Sequence, residues 1–291
     1  MSKILIMADS SGDITPAEAK EYGVRVLPFK LNFGDGVEYR DRVDITAEEF
    51  YEKVRTGDQN PKTVQITPAE FEEHYKQAAS EGYTDIVMVT IGSTASGTNQ
   101  SANIAKQAVE EDGIINVEVV DSMHLSFGSG YSTLQGAKFM KENPDASAKE
   151  VADVIRKTVA TADSYFVVET LDYLRRGGRI SSATAVIGGV LDIRPILRVA
   201  NGLVESFDKV RGAKKVVPKF IDILRQKCDG KYDDKVFIVL DGDGKEQAEA
   251  LKLKIEEEIG RSVDMHHDVG AIIGSHSGPG VVGVCVMEKN L

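Results

Sequence analysis

Three short segments of this chain dictate the kind of fold it can adopt. Thr15-Pro16-Ala17-Glu18, Thr46-Ala47-Glu48-Glu49 and Thr67-Pro68-Ala69-Glu70 each form a capping box. In such a box the Thr hydroxyl and the Glu three residues later satisfy orphan backbone donors, so each segment starts a helix. Around them lie apolar strand-like runs at Lys3 to Ala8, Val24 to Phe33, Asp85 to Ile91 and Val117 to Val120, with helical stretches near 68–80, 97–111 and 126–141. Strands and helices alternating at this spacing predict an α/β fold with a largely parallel sheet and helices on both its faces. An amphipathic stretch from Ser147 to Ala162 leads into a new strand, Ser164 to Glu169, and the boundary of a first domain, 1–162, is expected there.

At 291 residues the chain is about twice the usual domain size, so a second domain over 163–291 is expected. Its texture differs. Asn201-Gly202 sits between Ile196–Val199 and Leu203–Glu205 as a two-residue hairpin turn, both residues tolerating positive φ. Strands at Val236 to Leu240, near Val263 to His266 and at Val281 to Met287, with a helix over Lys245 to Ile259, make this domain a mixed α/β unit.

The longest apolar runs, Ile86 to Ile91 and Val281 to Met287, are far short of the roughly 18 residues of a membrane span, so no stable membrane insertion is expected. The run Ile4 to Met7 is too short for a signal peptide and is closed by Asp9, which predicts a cytoplasmic protein. Cys228 and Cys285 lack CxxC spacing and read as buried thiols, with no zinc site and no disulfide scaffold. A net charge of -11 argues against nucleic acid, which needs a basic face. That average hides an asymmetry: the segment from Arg175 to Lys219 carries +7, leaving -18 elsewhere. Such a polarised segment faces an acidic or phosphorylated partner or simply repels less than its neighbours.

The most informative loop is Thr90-Ile91-Gly92-Ser93-Thr94-Ala95-Ser96-Gly97-Thr98, between a buried strand and a helix. In an open α/β sheet ligands sit at the carboxyl ends of strands, where helix N-termini offer free N–H groups to an anion. Ser93 and Thr94 stand where a carboxylate or phosphate would, although a plain helix cap accounts for them equally well. Thr63, in the extended Asn60–Thr67 segment, is placed to lend a hydroxyl to the same anion. His276 lies in Gly274-Ser275-His276-Ser277-Gly278-Pro279-Gly280, read as a glycine-rich turn that lets backbone and ligand approach the ring closely. The adjacent His266 and His267 would point to opposite faces of a strand and make a poor metal pair.

Asp241-Gly242-Asp243-Gly244 lacks the later ligands of a calcium loop and reads as a helix cap. Arg175, Arg176 and Arg179 surround a glycine turn and read as solvated surface. The apolar stretch Ala183 to Leu191 suits an acyl channel or plain core packing. No G-x-S-x-G elbow occurs, but a Ser93–His276 pair leaves a small esterase or thioesterase open. Walker A and kinase Gly-rich sequences are absent, so neither ATP nor another cofactor is expected.

Taken in order, Ile6-Met7-Ala8-Asp9-Ser10, Gly92 to Ala102, Val119-Val120-Asp121-Ser122, Thr170 to Ile180, Ile193–Leu197 and His276 to Gly280 resemble the DegV family nearly end to end. That family includes the fatty-acid-binding subunit of the bacterial fatty acid kinase. The resemblance implies two α/β domains holding one long-chain fatty acid in a tunnel between them, the carboxyl group bound by Ser, Thr and His side chains. Ser93, Thr63 and His276 inherit those roles, with Thr94 as a supporting donor. The family's usual Thr-Ser-Gln-Pro-Ser is here Thr63-Val64-Gln65-Ile66-Thr67, and its paired serines are Gly92-Ser93. The implied function is that of a non-catalytic carrier, which presents the fatty acid to a separate ATP-dependent kinase subunit and retains the acyl phosphate. The resemblance also places Arg211, Lys214 and Lys215, the densest basic cluster, where the kinase docks.

Overall fold

The structure, a computed structural model, describes residues 3–57, 60–180 and 192–289. The first half runs β1 (Ile4–Asp9), α1 (Pro16–Tyr22), β2 (Val24–Leu27), β3 (Lys30–Asn32), β4 (Glu38–Arg40), α2 (Ala47–Thr56), β5 (Lys62–Val64), α3 (Pro68–Ser80), β6 (Asp85–Thr90), α4 (Thr98–Glu111), β7 (Asn116–Asp121), α5 (Phe127–Glu142) and α6 (Ala148–Val159). The second runs β8 (Asp163–Val167), α7 (Asp172–Gly177), β9 (Ile193–Ala200), β10 (Leu203–Arg211), α8 (Val216–Cys228), β11 (Lys235–Gly242), α9 (Lys245–Ile259), β12 (Met265–Asp268), α10 (Ala271–Ser277) and β13 (Val281–Glu288). Among the described residues, no helix is long and apolar enough to cross a membrane.

All three capping boxes form, with both reciprocal bonds present, and a fourth at Ser147 and Glu150 starts α6. The first sheet has the order β2-β1-β6-β7 and is parallel throughout. The second has the order β10-β9-β8-β13-β11-β12; only its β11–β12 pair is parallel, which makes it mixed. Asn201 and Gly202 both take positive φ in the hairpin turn between β9 and β10.

The run Val24 to Phe33, read as one strand, is two. Pro28 offers no N–H to a ladder and fixes its own φ. The chain therefore leaves the parallel sheet after Leu27, and the Phe29 N–H donates to Ser10 Oγ instead. It then enters a separate antiparallel sheet of order β4-β3-β5. The Asp241–Gly244 segment caps α9 in an indirect way: Asp243 turns with positive φ, and Asp241 Oδ1 accepts from the Gly244 N–H.

Side-chain alternation sorts the core. Leu5 and Met7 on β1 pack against the α2–α4 side, whereas Ile6 and Ala8 face α5, α6 and part of the second sheet. On β13, Val281 and Cys285 join that shared middle cluster, while Val282, Val284 and Val286 pack on α8 and α9. Both cysteines are free and buried.

Candidate functional site

Helix α10 carries His276 and bridges the two halves of the molecule. At its start the Gly270 N–H donates to Asp13 Oδ1 at 2.9 Å, and the Arg42 guanidinium reaches the same oxygen at 3.1 Å. Ser126 Oγ donates to Asp13 Oδ2, so both oxygens of this buried carboxylate are engaged. Asp41 accepts from the Ala271 N–H, and burial pushes its carboxyl up to about 7. Residues of the first half thus hold the first turn of a helix contributed by the second.

The site histidine is not on a turn but in the last turn of α10. The glycines that suggested a turn are there for close packing. A Cβ at Gly274 would come within 2.7 Å of Phe50 and Tyr51, and one at Gly278 within 2.4 Å of Tyr173. A Cβ at Gly177 would sit 2.2 Å from His276 Nδ1, which brings the end of α7 flat against the ring.

His276 Nε2 lies 3.2 Å from Thr63 Oγ1, on the central residue of β5. Among the described residues, its buried Nδ1 has no hydrogen-bond partner. Burial, and then the nearby Arg179 charge, push the ring down to about 4, so the imidazole is neutral at neutral pH.

This pair stands on the wall of a cavity between the two halves, about 880 Å³ including its mouth. Thr63, Ser96, Arg179 and His276 supply polar groups; Leu125, Leu174, Val199, Leu240, Ile272 and Val281 are among its apolar lining. The size and the ratio of apolar to polar groups suit a small amphiphile. Arg179 Nε donates to Ala95 O at 2.9 Å and its Nη1 to Gly177 O, tying the hydroxyl-rich loop to α7.

That loop is divided. Asp9, pushed up to about 6 by burial, accepts from the Ile91 N–H at 2.7 Å and fixes where the loop leaves β6. Beyond it, Ala95 and Ser96 face the cavity. Ser93 and Thr94 are exposed and are not among the residues lining it. The Ser93 N–H donates to Asp121 Oδ1 and its Oγ meets Met123 Sδ at 3.8 Å. Thr94 Oγ1 donates to Asn201 O in the hairpin turn, and a Cβ at Gly92 would lie 3.0 Å from Gly202 Cα. The structure thus brings Thr63 and His276 together and sets Ser93 and Thr94 on the hairpin side of the loop. No hydrogen bond joins Ser93 to His276 among the described residues, so the hydrolase pair is not assembled.

Ser96 and Arg179 are site residues that sequence reasoning missed. Arg179 had looked like solvated surface, but Gly178, left-handed at the end of α7, reverses the chain and returns it to the cavity. Arg211, Lys214 and Lys215 are exposed, with no ion-pair partner among the described residues. They lie at the other end of the β9–β10 hairpin from its turn, roughly 25 Å along the strands. The Ala183 to Leu191 stretch falls outside the described residues. His266 and His267 do face apart: His266 Nε2 contacts Asp241 Oδ2 at 2.6 Å, and His267 Nε2 contacts Glu18 Oε1 at 3.0 Å.

Comparison with known proteins agrees with this architecture. The family model described as "Uncharacterised protein, DegV family" matches residues 3–289. A DegV domain-containing protein of Caldanaerobacter subterraneus subsp. tengcongensis is 34% identical over 289 residues, covering 99% of this chain and 100% of the relative. A Thermus thermophilus structure described as fatty acid binding of a DegV family protein superposes with a TM-score of 0.87 at 31% identity, covering 98% of this chain and 99% of that one. DegV of Bacillus subtilis, described as a fatty acid binding protein, superposes with a TM-score of 0.86 at 26% identity, over 99% of this chain and 100% of that one. With its parallel and mixed sheets closing on a lined cavity, the chain belongs to the DegV family.

Proposed function

We propose that this chain is a cytoplasmic carrier that holds one long-chain fatty acid between its halves, with the carboxyl group at Thr63 and His276. The observation that carries the reading is the neutral, buried imidazole on Thr63 at one wall of a largely apolar cavity. Fourteen buried methylenes contribute roughly 11 kcal/mol at about 0.8 each, before association costs. A carboxyl group taken out of water must find donors. Thr63 and Ser96 offer hydroxyls, His276 a ring N–H, and Arg179 a positive charge beside them. The fatty acid binding described for the Thermus and Bacillus relatives supports the same reading.

The carrier presents that carboxyl group to a separate ATP-dependent kinase and keeps the acyl phosphate formed. A neutral imidazole suits this task, because it donates a hydrogen bond without locking the carboxylate into an ion pair. Arg211, Lys214 and Lys215 form the surface that meets the kinase. Native mass spectrometry of the purified protein tests the carrier reading: the expected result is one long-chain fatty acid per chain. Empty protein that also fails to take up palmitate or oleate overturns it. Incubation with a fatty acid kinase catalytic subunit and ATP tests the second step, with protein-bound acyl phosphate as the expected product. Burst cleavage of p-nitrophenyl esters by the chain alone would favour the esterase reading instead.

A further inference from the structure

Among the described residues, the hydroxyls that line the cavity meet oxygen or nitrogen partners, with one exception. Thr63 meets His276, Ser96 meets Thr98, Ser126 meets Asp13, Ser277 meets Gly278 O, and Tyr165 meets Asp163. Ser164 also lines the cavity and is 5% exposed, yet among the described residues its Oγ has no oxygen or nitrogen partner. Its one side-chain partner among the described residues is the thiol of Cys285, directly opposite on β13, with which it makes a hydrogen bond. A thiol is a weak donor and acceptor.

Its place along the cavity follows from the sheet. Ser164 is directly opposite Cys285 and Phe166 opposite Gly283 in the antiparallel β8–β13 pair, so these four residues share a face. Val281 shares it by alternation, at the β13 end nearest α10 and His276. Four residues separate Val281 from Cys285, about 13 Å at roughly 3.3 Å per residue. Ser164 therefore stands well away from the Thr63–His276 end, beside the middle of a long acyl chain. Gly283, on the rung between, leaves that wall without a side chain.

A hydroxyl left with only a thiol for a partner in an apolar cavity is poorly satisfied. A lone water is a poor remedy, because a buried water needs two to four polar partners and the neighbouring wall offers Phe166, Gly283 and Leu240. A hydroxyl carried on the acyl chain needs only one. We propose that Ser164 is a second polar subsite that pairs with a mid-chain hydroxyl, so that the cavity accepts hydroxylated long-chain fatty acids. This rests on the fatty-acid reading above.

Competition binding of stearate, 10-hydroxystearate and 12-hydroxystearate to wild type and Ser164→Ala tests it, with 2-hydroxystearate as the head-group control. In the wild type, the better of the two mid-chain ligands is expected to bind within about threefold of stearate. Ser164→Ala is expected to weaken that ligand relative to stearate by about 5- to 100-fold, while the 2-hydroxystearate ratio stays put. Ser164→Thr, which keeps the hydroxyl, is expected to retain the wild-type preference. Should the alanine variant fail to fold, Ser164→Gly carries the same comparison. Stearate binding with an unchanged hydroxystearate ratio in the variant overturns the subsite alone, as does a wild type that rejects both mid-chain ligands as strongly as the variant. A wild type that binds no stearate overturns the fatty-acid reading and the subsite with it.

Discussion

The two ends of helix α10 are polar in opposite ways. At its first turn Asp13 has both oxygens engaged, by the Gly270 N–H, the Arg42 guanidinium and the Ser126 hydroxyl. At its last turn His276 is neutral, with one ring nitrogen on Thr63 and the other without a partner among the described residues. A buried charge with a full complement of partners is a fastening, and removing one partner strands the rest. A buried group left half-satisfied is where something from outside completes the set. The same short helix therefore joins a structural device to a binding device.

The largest effect should come from the fastening. Asp13→Ala leaves Arg42 buried without its carboxylate and the Gly270 N–H unpaired, and it should cost about 3–5 kcal/mol in urea unfolding. His276→Ala should cost less than half as much. Equal losses would erase the distinction between the two ends.

Next in size is the response to acid. Burial holds His276 at about 4 in the folded chain against an ordinary 6.5, so between these the unfolded chain binds the extra proton and stability falls as pH falls. The loss should reach about 3 kcal/mol at pH 4 and be absent in His276→Asn. Asp41 opposes it: its carboxyl is raised from 3.8 to about 7, so the folded state holds the extra proton and this contribution grows as pH falls through 7. Comparing urea midpoints of wild type, His276→Asn and Asp41→Asn across this range separates the two signs. Parallel curves for all three would refute both.

Ligand affinity comes third. His276→Ala or Thr63→Val should weaken fatty-acid binding by about 1–3 kcal/mol, read by titration with a fluorescent fatty acid. The loop sharpens the contrast, because Ser96 faces the cavity while Ser93 is on the hairpin side. Ser96→Ala should therefore impair binding more than Ser93→Ala, and the reverse order would return the carboxyl site to Ser93.

The smallest change belongs to the basic cluster. Arg211→Glu with Lys214→Glu should leave fatty-acid affinity unchanged while slowing the kinase step at low salt and flattening its dependence on ionic strength. Equal rates at low salt would leave these charges as plain solvated surface.

Local chemistry made the helix starts legible: Thr15, Thr46 and Thr67 each have their Glu at the required spacing, and each box formed. The hairpin at Asn201-Gly202 was legible for the same reason. The break at Pro28 was not foreseen, because the run on either side is apolar and the deciding bond, from the Phe29 N–H to Ser10 Oγ, is tertiary. His276 was misplaced on a turn because its flanking glycines answer to Phe50, Tyr51 and Tyr173, residues distant in sequence. Thr63 and His276 are 213 positions apart, and family resemblance, not spacing, linked them. Arg179 carries the same charge as its solvated neighbours, and only the chain reversal at Gly178 tells it apart.

The contact between Gly92 and Gly202 has a mechanical meaning. Backbone meets backbone there, and a Cβ at Gly202 would sit 2.3 Å from Thr94 Oγ1. Two loops from opposite halves close on each other there backbone to backbone, with the Thr94 hydroxyl packed beside the contact. A methyl group at Gly92 is a shim of known thickness, whereas the left-handed φ at Gly202 would strain any side chain placed there, so a graded series of shims at Gly92 would turn the width of the gap between the halves into an adjustable quantity.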